Sequence, residues 1–205
     1  MGQKMAVDPA NPDVVYFGTP ADGVYRSFNA GSAWEQVSTV DIPACTTTFS
    51  GVNPGHPGIC FDPTSGTTGG RTNTIYVPVY GTGIYQSTDA GVTWAALASA
   101  PLKVRHAKIA SDGIYYAACN ADANDSLRTL NRWDGAWTTI TPSGQTDVES
   151  VLIDLSDPAK VISVHSESHL QISLDRGATY GSHITNVTRV ATDIPWLART
   201  REQFL

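Results

Sequence analysis

The 205-residue chain carries 13 Lys and Arg against 19 Asp and Glu, a formal net charge of −6, with 16% charged residues. It offers no basic stripe to track phosphates, which excludes a nucleic-acid binder, and no apolar run long enough to span a membrane as a helix. Gly at 18 and Pro at 12 fit many short strands joined by tight turns.

In chain order, the first predicted strand runs from Lys4 to Pro9. Met1 to Met5 lead straight into it, so no signal peptide is expected in this segment. Strands over Val14–Phe17 and Gly23–Arg26 follow, then a phrase from Ser27 to Trp34, then a strand from Trp34 to Val37. The second unit repeats this order with Gly58–Pro63, Thr74–Val77, Gly83–Gln86, the phrase Ser87 to Trp94, and Trp94–Leu97. The third has Ala107–Asp112, Ile114–Ala117, Leu127–Leu130, a shortened turn from Trp133 to Trp137, and Trp137–Ile140. The fourth has Ser150–Asp154, Val161–Val164, Leu170–Ile172, the phrase Ser173 to Tyr180, and Tyr180–His183.

The phrase reads Ser-x-Asp/Asn-x-Gly-x-Ala/Thr-aromatic: Ser27, Asn29, Gly31, Trp34; Ser87, Asp89, Gly91, Trp94; Ser173, Asp175, Gly177, Tyr180. Its Asp or Asn is expected to accept backbone N–H groups two residues on, its Gly to supply a left-handed conformation, and its aromatic to open a strand and bury its ring. The copies lie 60 and then 86 residues apart, the latter across two units of about 43 each, which fits a four-stranded propeller blade. The expected fold class is therefore all-β, a β-propeller of about four blades at 1–40, 56–100, 104–142 and 148–188. A Pro, Gly, Ser and Thr-rich insertion is placed at 41–72 and a terminal loop at 189–205. Blades bury their faces on one another, so four blades are expected to be an open arc or part of a larger ring; a freestanding four-bladed ring is the alternative.

The phrase resembles the Asp-box, or BNR repeat, of sialidases, sortilin-type receptors and xyloglucanase-type glycoside hydrolases. Ser87 to Trp94 matches in full; the first copy departs at Asn29 and Ala33, the third at Tyr180. In those families the box marks the fold and lies away from the active site, and six or more blades are usual. The stretches Ala6 to Thr19, Gly83 to Trp94, Ala110 to Tyr116, Trp137 to Pro142 and Asp193 to Leu197 are most similar to the xyloglucanase-type hydrolases. The resemblance implies an extracellular protein acting on a β-linked polysaccharide through a groove across one face. A non-catalytic module of a larger secreted or virion-associated protein is the alternative. A sialidase-like enzyme ranks lowest, because no arginine triad with a Tyr/Glu nucleophile is recognisable.

Glycoside hydrolysis needs two carboxylates about 5–9.5 Å apart. In the resembled family an Asp stands between the second and third strands of particular blades. Here Pro20 or Ala21 occupies that place, Asp22 is displaced towards Gly23, and Tyr80 to Gly83 holds no acid. The family's catalytic aspartates are thus not recognisable in this chain; Asp22 and the pair Asp147 and Glu149, whose i, i+2 spacing projects to one side, are left as substitutes.

The loops between second and third strands, with the inter-blade loops, are expected on the rim opposite the phrase. There Tyr80 and Trp196 are candidates for stacking on sugars, and Asn120, Asp122 and His106 for bonding hydroxyls; His56, Asn124 and Asp125 share that rim. His165, Glu167 and His169 resemble metal-ligand composition, but no fourth ligand is evident, so no metal and no cofactor is assigned. Cys45 and Cys60 bracket part of the insertion, where a disulfide would pin a long loop; the favoured reading leaves Cys60 and Cys119 as buried fillers. The expected partner is a polysaccharide or glycan, with further blades supplied by the rest of the chain or by other subunits.

Overall fold

The computed structural model describes residues 3–121, 127–165 and 169–182. Runs of β-branched and aromatic residues, broken by Gly, Pro and Asx turns, form seventeen short strands there and no helix. The first sheet is the antiparallel meander β1 (Met5–Asp8), β2 (Asn11–Gly18), β3 (Val24–Ser27) and β4 (Glu35–Gln36). β5 (Cys60–Phe61) opens the second sheet. A hairpin of β6 (Thr67–Thr68) and β7 (Arg71–Thr72) interrupts it before β8 (Ile75–Val79), β9 (Gly83–Ser87) and β10 (Ala95–Ala96). The third sheet is β11 (Val104–Ile109), β12 (Tyr115–Cys119), β13 (Thr129–Trp133) and β14 (Trp137–Thr139). The fourth, three-stranded among the described residues, is β15 (Val148–Ile153), β16 (Val161–His165) and β17 (Leu170–Ser173).

Several elements differ from the sequence expectation, each for a local reason. β5 lies within the expected strand Gly58–Pro63, but inside the stretch 41–72, so the added length divides into an inter-sheet loop and the β6–β7 hairpin. Asp8, 2% exposed, ties that hairpin to the first sheet by accepting the Thr72 N–H at 2.9 Å and the Thr72 hydroxyl. The third strand of the third sheet is Thr129–Trp133 rather than Leu127–Leu130. With no Ser-x-Asp turn to end it, it runs on until Trp133 faces Trp137. The stretch Tyr180–His183 forms no strand among the described residues, and His183 lies outside them. Even so, Gly181 N–H donates to Ile172 O at 2.9 Å, in the register that pairs Glu35 with Arg26, Ala95 with Gln86 and Thr138 with Arg132 in the other sheets.

Apolar clusters join consecutive sheets. Tyr16, Val14 and Val24 of the first sheet pack on Phe61, Ile75 and Val77 of the second. Tyr76 and Ile84 meet Ala107, Tyr115 and Ala117, and Tyr116 and Leu130 meet Val148, Val151 and Val161. On the other side of the first sheet Met5 and Val7 remain 46% and 52% exposed. All three cysteines are buried and none forms a disulfide, so Cys60 and Cys119 follow the filler reading and the Cys45–Cys60 bridge is not made. Cys45 belongs to the cluster on one side of the second sheet and Cys60 to the cluster on the other, so the sheet stands between the two thiols.

The repeated phrase is a turn closed by its own side chains. Ser87 Oγ accepts the N–H groups of Asp89 at 3.3 Å and Gly91 at 2.8 Å and donates to Asp89 Oδ1 at 2.8 Å. Asp89 accepts the N–H of Val92 at 3.1 Å and of Thr93 at 2.8 Å, and the Thr93 hydroxyl at 2.6 Å. The carboxylate thus reaches three and four residues on, not two; the serine takes the nearer donor. Ala90 and Gly91 are both left-handed, at φ 59° and 82°. The cost of the first, about 1 kcal/mol, is offset by a bond from its N–H to Asn73 O at 2.9 Å. Ala30 and Arg176 make the equivalent bonds to Asp13 and Ala159. The terminal aromatics differ in burial. Trp94 packs edge-on against Tyr16 at 6.1 Å, whereas Trp34, expected to bury its ring, is 42% exposed because no sheet among the described residues covers its side.

Replacing Ser87 with Ala strands two N–H groups and is expected to lower stability by about 1–2 kcal/mol in urea unfolding. Thr93 bonds hold the Asp89 carboxyl at about 2, and Thr179 bonds do the same for Asp175. Both values lie below the unfolded one, so the turns contribute fully above about pH 4 and lose that contribution as pH falls through about 2. Carboxyl NMR titration checks this.

Candidate functional site

Backbone bonds sort the loops onto two rims. The repeated turns bond to the β1–β2-type hairpins, as the Ala30, Ala90 and Arg176 contacts record. The loops between second and third strands bond instead to inter-sheet loops: Tyr80 N–H to Gly55 O at 3.0 Å, Gly81 N–H to Leu102 O at 2.6 Å, and Asn120 N–H to Lys103 O at 2.9 Å. The second rim gathers most of the candidate residues.

Asp22 stands exposed in the β2–β3 turn, where Thr19 Oγ accepts its N–H at 2.9 Å. Tyr80 is 1% exposed and offers no ring face for a sugar. It fills the core between the first two sheets, and its hydroxyl accepts a bond from Asn120 Nδ2 at 2.7 Å. Asn120 is 5% exposed. His56 is fully buried, with its ring nitrogens 3.1 Å from Thr19 O and Pro43 O, so it pins two loops together rather than facing a ligand. Burial pushes its imidazole below the ordinary value. His106 Nδ1 lies 3.0 Å from Ser150 Oγ, linking the third and fourth sheets; burial, with Lys108 adding, takes it down to about 3. His165 is 2% exposed and its ring lies 3.1 Å from Ser163 Oγ and 3.4 Å from Asp147 Oδ1. Asp122, Asn124, Asp125, Glu167 and Trp196 lie outside the described residues.

Asp147 and Glu149 flank the buried Val148 and are engaged by different partners. β15 bulges between Val148 and Ser150, where Glu149 is the extra residue. Asp147 turns to His165, whereas Glu149 takes Arg105 at 2.6 Å on one oxygen and Arg128 on the other. β11 bulges at the matching place, between Val104 and His106, which brings Arg105 out to meet Glu149 across the sheet boundary. The Arg105 guanidinium also lies 5.8 Å from the centre of the Phe49 ring, an exposed aromatic on the inter-sheet loop. Phe49, Arg105 and Arg128 went unmarked in the sequence. Bulges leave no composition signal, and Phe49 stands in a loop with no periodicity. Among the described residues no group of three or more His, Cys, Asp or Glu is placed to hold a metal ion.

Four antiparallel sheets packed face to face in chain order are consecutive blades of a β-propeller. No family model matches the chain. Its homologues and structural neighbours are GH74 xyloglucanases. A xyloglucanase of Hypocrea jecorina is 30% identical over 208 residues, covering 87% of this chain and 25% of its own length. One from a Paenibacillus species is 33% identical over 158 residues, covering 69% of this chain and 15% of its own. The solved GH74 xyloglucanase of Xanthomonas campestris superposes with a TM-score of 0.75 at 26% identity, over 97% of this chain and 32% of that one. The chain thus spans a third or less of the length of each.

Glu149→Gln is expected to loosen the joint between third and fourth sheets, lowering the urea midpoint by about 1 kcal/mol equivalent, less in high salt. His106 has a folded value below its unfolded one of about 6.5, so the unfolded chain binds the extra proton. Stability is expected to fall as pH drops from about 6.5 towards 3, a slope that His106→Gln flattens in pH-dependent unfolding.

Proposed function

We propose that this chain is part of the propeller of a xyloglucan- or β-glucan-degrading hydrolase. In this reading its loop rim helps to bind the polysaccharide, and the acids that cleave the bond lie elsewhere in the ring. The observation that carries it is the extent of the similarity, which runs along 87% of this chain yet covers 25% of the Hypocrea jecorina xyloglucanase. The exposed Met5 and Val7 support a further blade beside the first sheet. The repeated turns are read as Asp-boxes, on account of the Ser and Asp hydrogen bonds that close them.

The rim chemistry supports binding more than cleavage. Asp22 is an isolated exposed acid, and Glu149 has both oxygens engaged by guanidinium groups. Phe49 replaces Tyr80 as the stacking candidate among the described residues, because its ring is exposed and that of Tyr80 is buried. An extracellular location follows from a polysaccharide substrate, and the virion-associated alternative has no counterpart among the relatives described above.

Calorimetric titration with xyloglucan oligosaccharides is expected to give saturable binding, with no shortening of the oligosaccharide by chromatography. Phe49→Ala should weaken it about ten-fold, the loss of one ring stack of about 1–1.5 kcal/mol. A folded chain that binds no xyloglucan oligosaccharide at millimolar concentration sinks the reading.

A further inference from the structure

The sheet-to-sheet contacts follow a pairing rule within the chain. At one position of the second strand the four sheets carry Tyr16, Tyr76, Tyr116 and Ile162; opposite, on the third strand, stand Arg26, Gln86, Arg132 and Ile172. Arginine occurs where the next sheet has a full Ser-x-Asp turn. Arg26 is held by Glu35 at 2.7 Å and donates to Gly91 O of the second sheet at 2.6 Å. Arg132 is held by Asp134 at 2.9 Å and donates to Arg176 O of the fourth sheet at 3.1 Å. Gln86 faces the third sheet, whose turn is shortened, and bonds within its own sheet to the Tyr76 hydroxyl at 3.2 Å.

The turn of the first sheet is built to receive such an arginine and has none within the described residues. Ala30 and Gly31 stand where Arg176 and Gly91 offer their carbonyls. A Cβ on Gly91 would lie 2.1 Å from the Tyr16 hydroxyl and one on Gly177 2.4 Å from Ile140, both across a sheet boundary. At Gly31 it would meet only Trp34 of the same turn. Beside this turn Met5, Val7 and Trp34 are 46%, 52% and 42% exposed.

We propose that this face of the first sheet docks a further antiparallel sheet whose second and third strands carry a paired Tyr and Arg, the arginine donating to the Ala30 or Gly31 carbonyl. The proposal rests on reading the chain as part of a larger propeller, and it goes further in stating the chemistry of the neighbour. It also makes a second copy of this chain a poorer fit as that neighbour, since the fourth sheet offers Ile162 and Ile172 in place of the pair.

The test grafts the pair onto the chain. A variant with Ile162→Tyr and Ile172→Arg is expected to self-associate head to tail in sedimentation velocity at least ten-fold more tightly than one with Ile162→Tyr and Ile172→Gln. Adding Trp34→Ala should abolish the association. Equal association of the two variants overturns the arginine rule while leaving a further sheet on this face. Failure of both to associate, when circular dichroism shows them folded, overturns the docking surface. Within the unmodified framework, Arg26→Gln is expected to speed amide exchange at residues 87–93 about ten-fold, and unchanged exchange overturns the latch. Xyloglucan titration of the unmodified chain tests the underlying reading separately.

Discussion

Each sheet but the last buries a tyrosine of its second strand on the next sheet, and the rest of the molecule is arranged around that contact. Tyr16 and Tyr116 are fully buried and Tyr76 is 4% exposed, each within a cluster that spans two sheets. A large side chain buried this way contributes about 1.5–3 kcal/mol, and almost all of that gain is made across a sheet boundary. A single meander of this kind buries only a small apolar cluster within itself, as Val164, Leu152, Ile162 and Leu170 do in the fourth sheet, and cannot meet the entropy of ordering some forty residues. Stability is therefore a property of neighbours, as in other repeat architectures.

The hydrogen-bonded turns follow from this requirement. A sheet that must lie flat on its neighbour has to end its third strand without a bulky loop on the packing side. The Ser-x-Asp arrangement does so by folding its own donors inward and putting a glycine at the contact, where Tyr16 or Ile140 approaches too closely for a Cβ. The turned-in chain leaves carbonyls on its outer surface, and Arg26 and Arg132 use them. Where the turn is shortened, in the third sheet, that carbonyl geometry is lost and glutamine replaces arginine in the sheet before it. On the opposite rim glycines also meet neighbouring loops closely, Gly55 against Thr19 and Gly81 against Thr47, but no common turn recurs there and the loops vary in length and chemistry.

The strands and turns were legible in the sequence because they depend on local rules. Alternating β-branched and aromatic residues mark second strands such as Ile75–Val79, and Asp or Asn with Gly at fixed offsets marks the turns. What escaped depends on contacts between sheets. Tyr80 sits at a loop edge and reads as a rim aromatic, yet the inter-sheet loop folds over it and buries it. Trp34 occupies the same place in its phrase as Trp94, and only the presence of a preceding sheet distinguishes their burial. The bulges at Arg105 and Glu149 insert one residue into an otherwise regular alternation, which turned an apparent pair of acids into two separately engaged groups. Cys45 and Cys60 are close in sequence and divided by a sheet.

The rim and the packing faces therefore compete for the same residues, and the competition bears on chemistry. Residues that would serve a substrate on a free rim are, in the third and fourth sheets, committed to holding blades together: Glu149 to two arginines, His106 to Ser150, Asn120 to Tyr80. The inter-sheet loop before β5 is the exception, since it projects Phe49 beyond the packing faces and draws Arg105 beneath the ring. A propeller gains a binding surface where a loop is long enough to escape the demands of the interface. In this chain that condition is met most clearly between the first and second sheets.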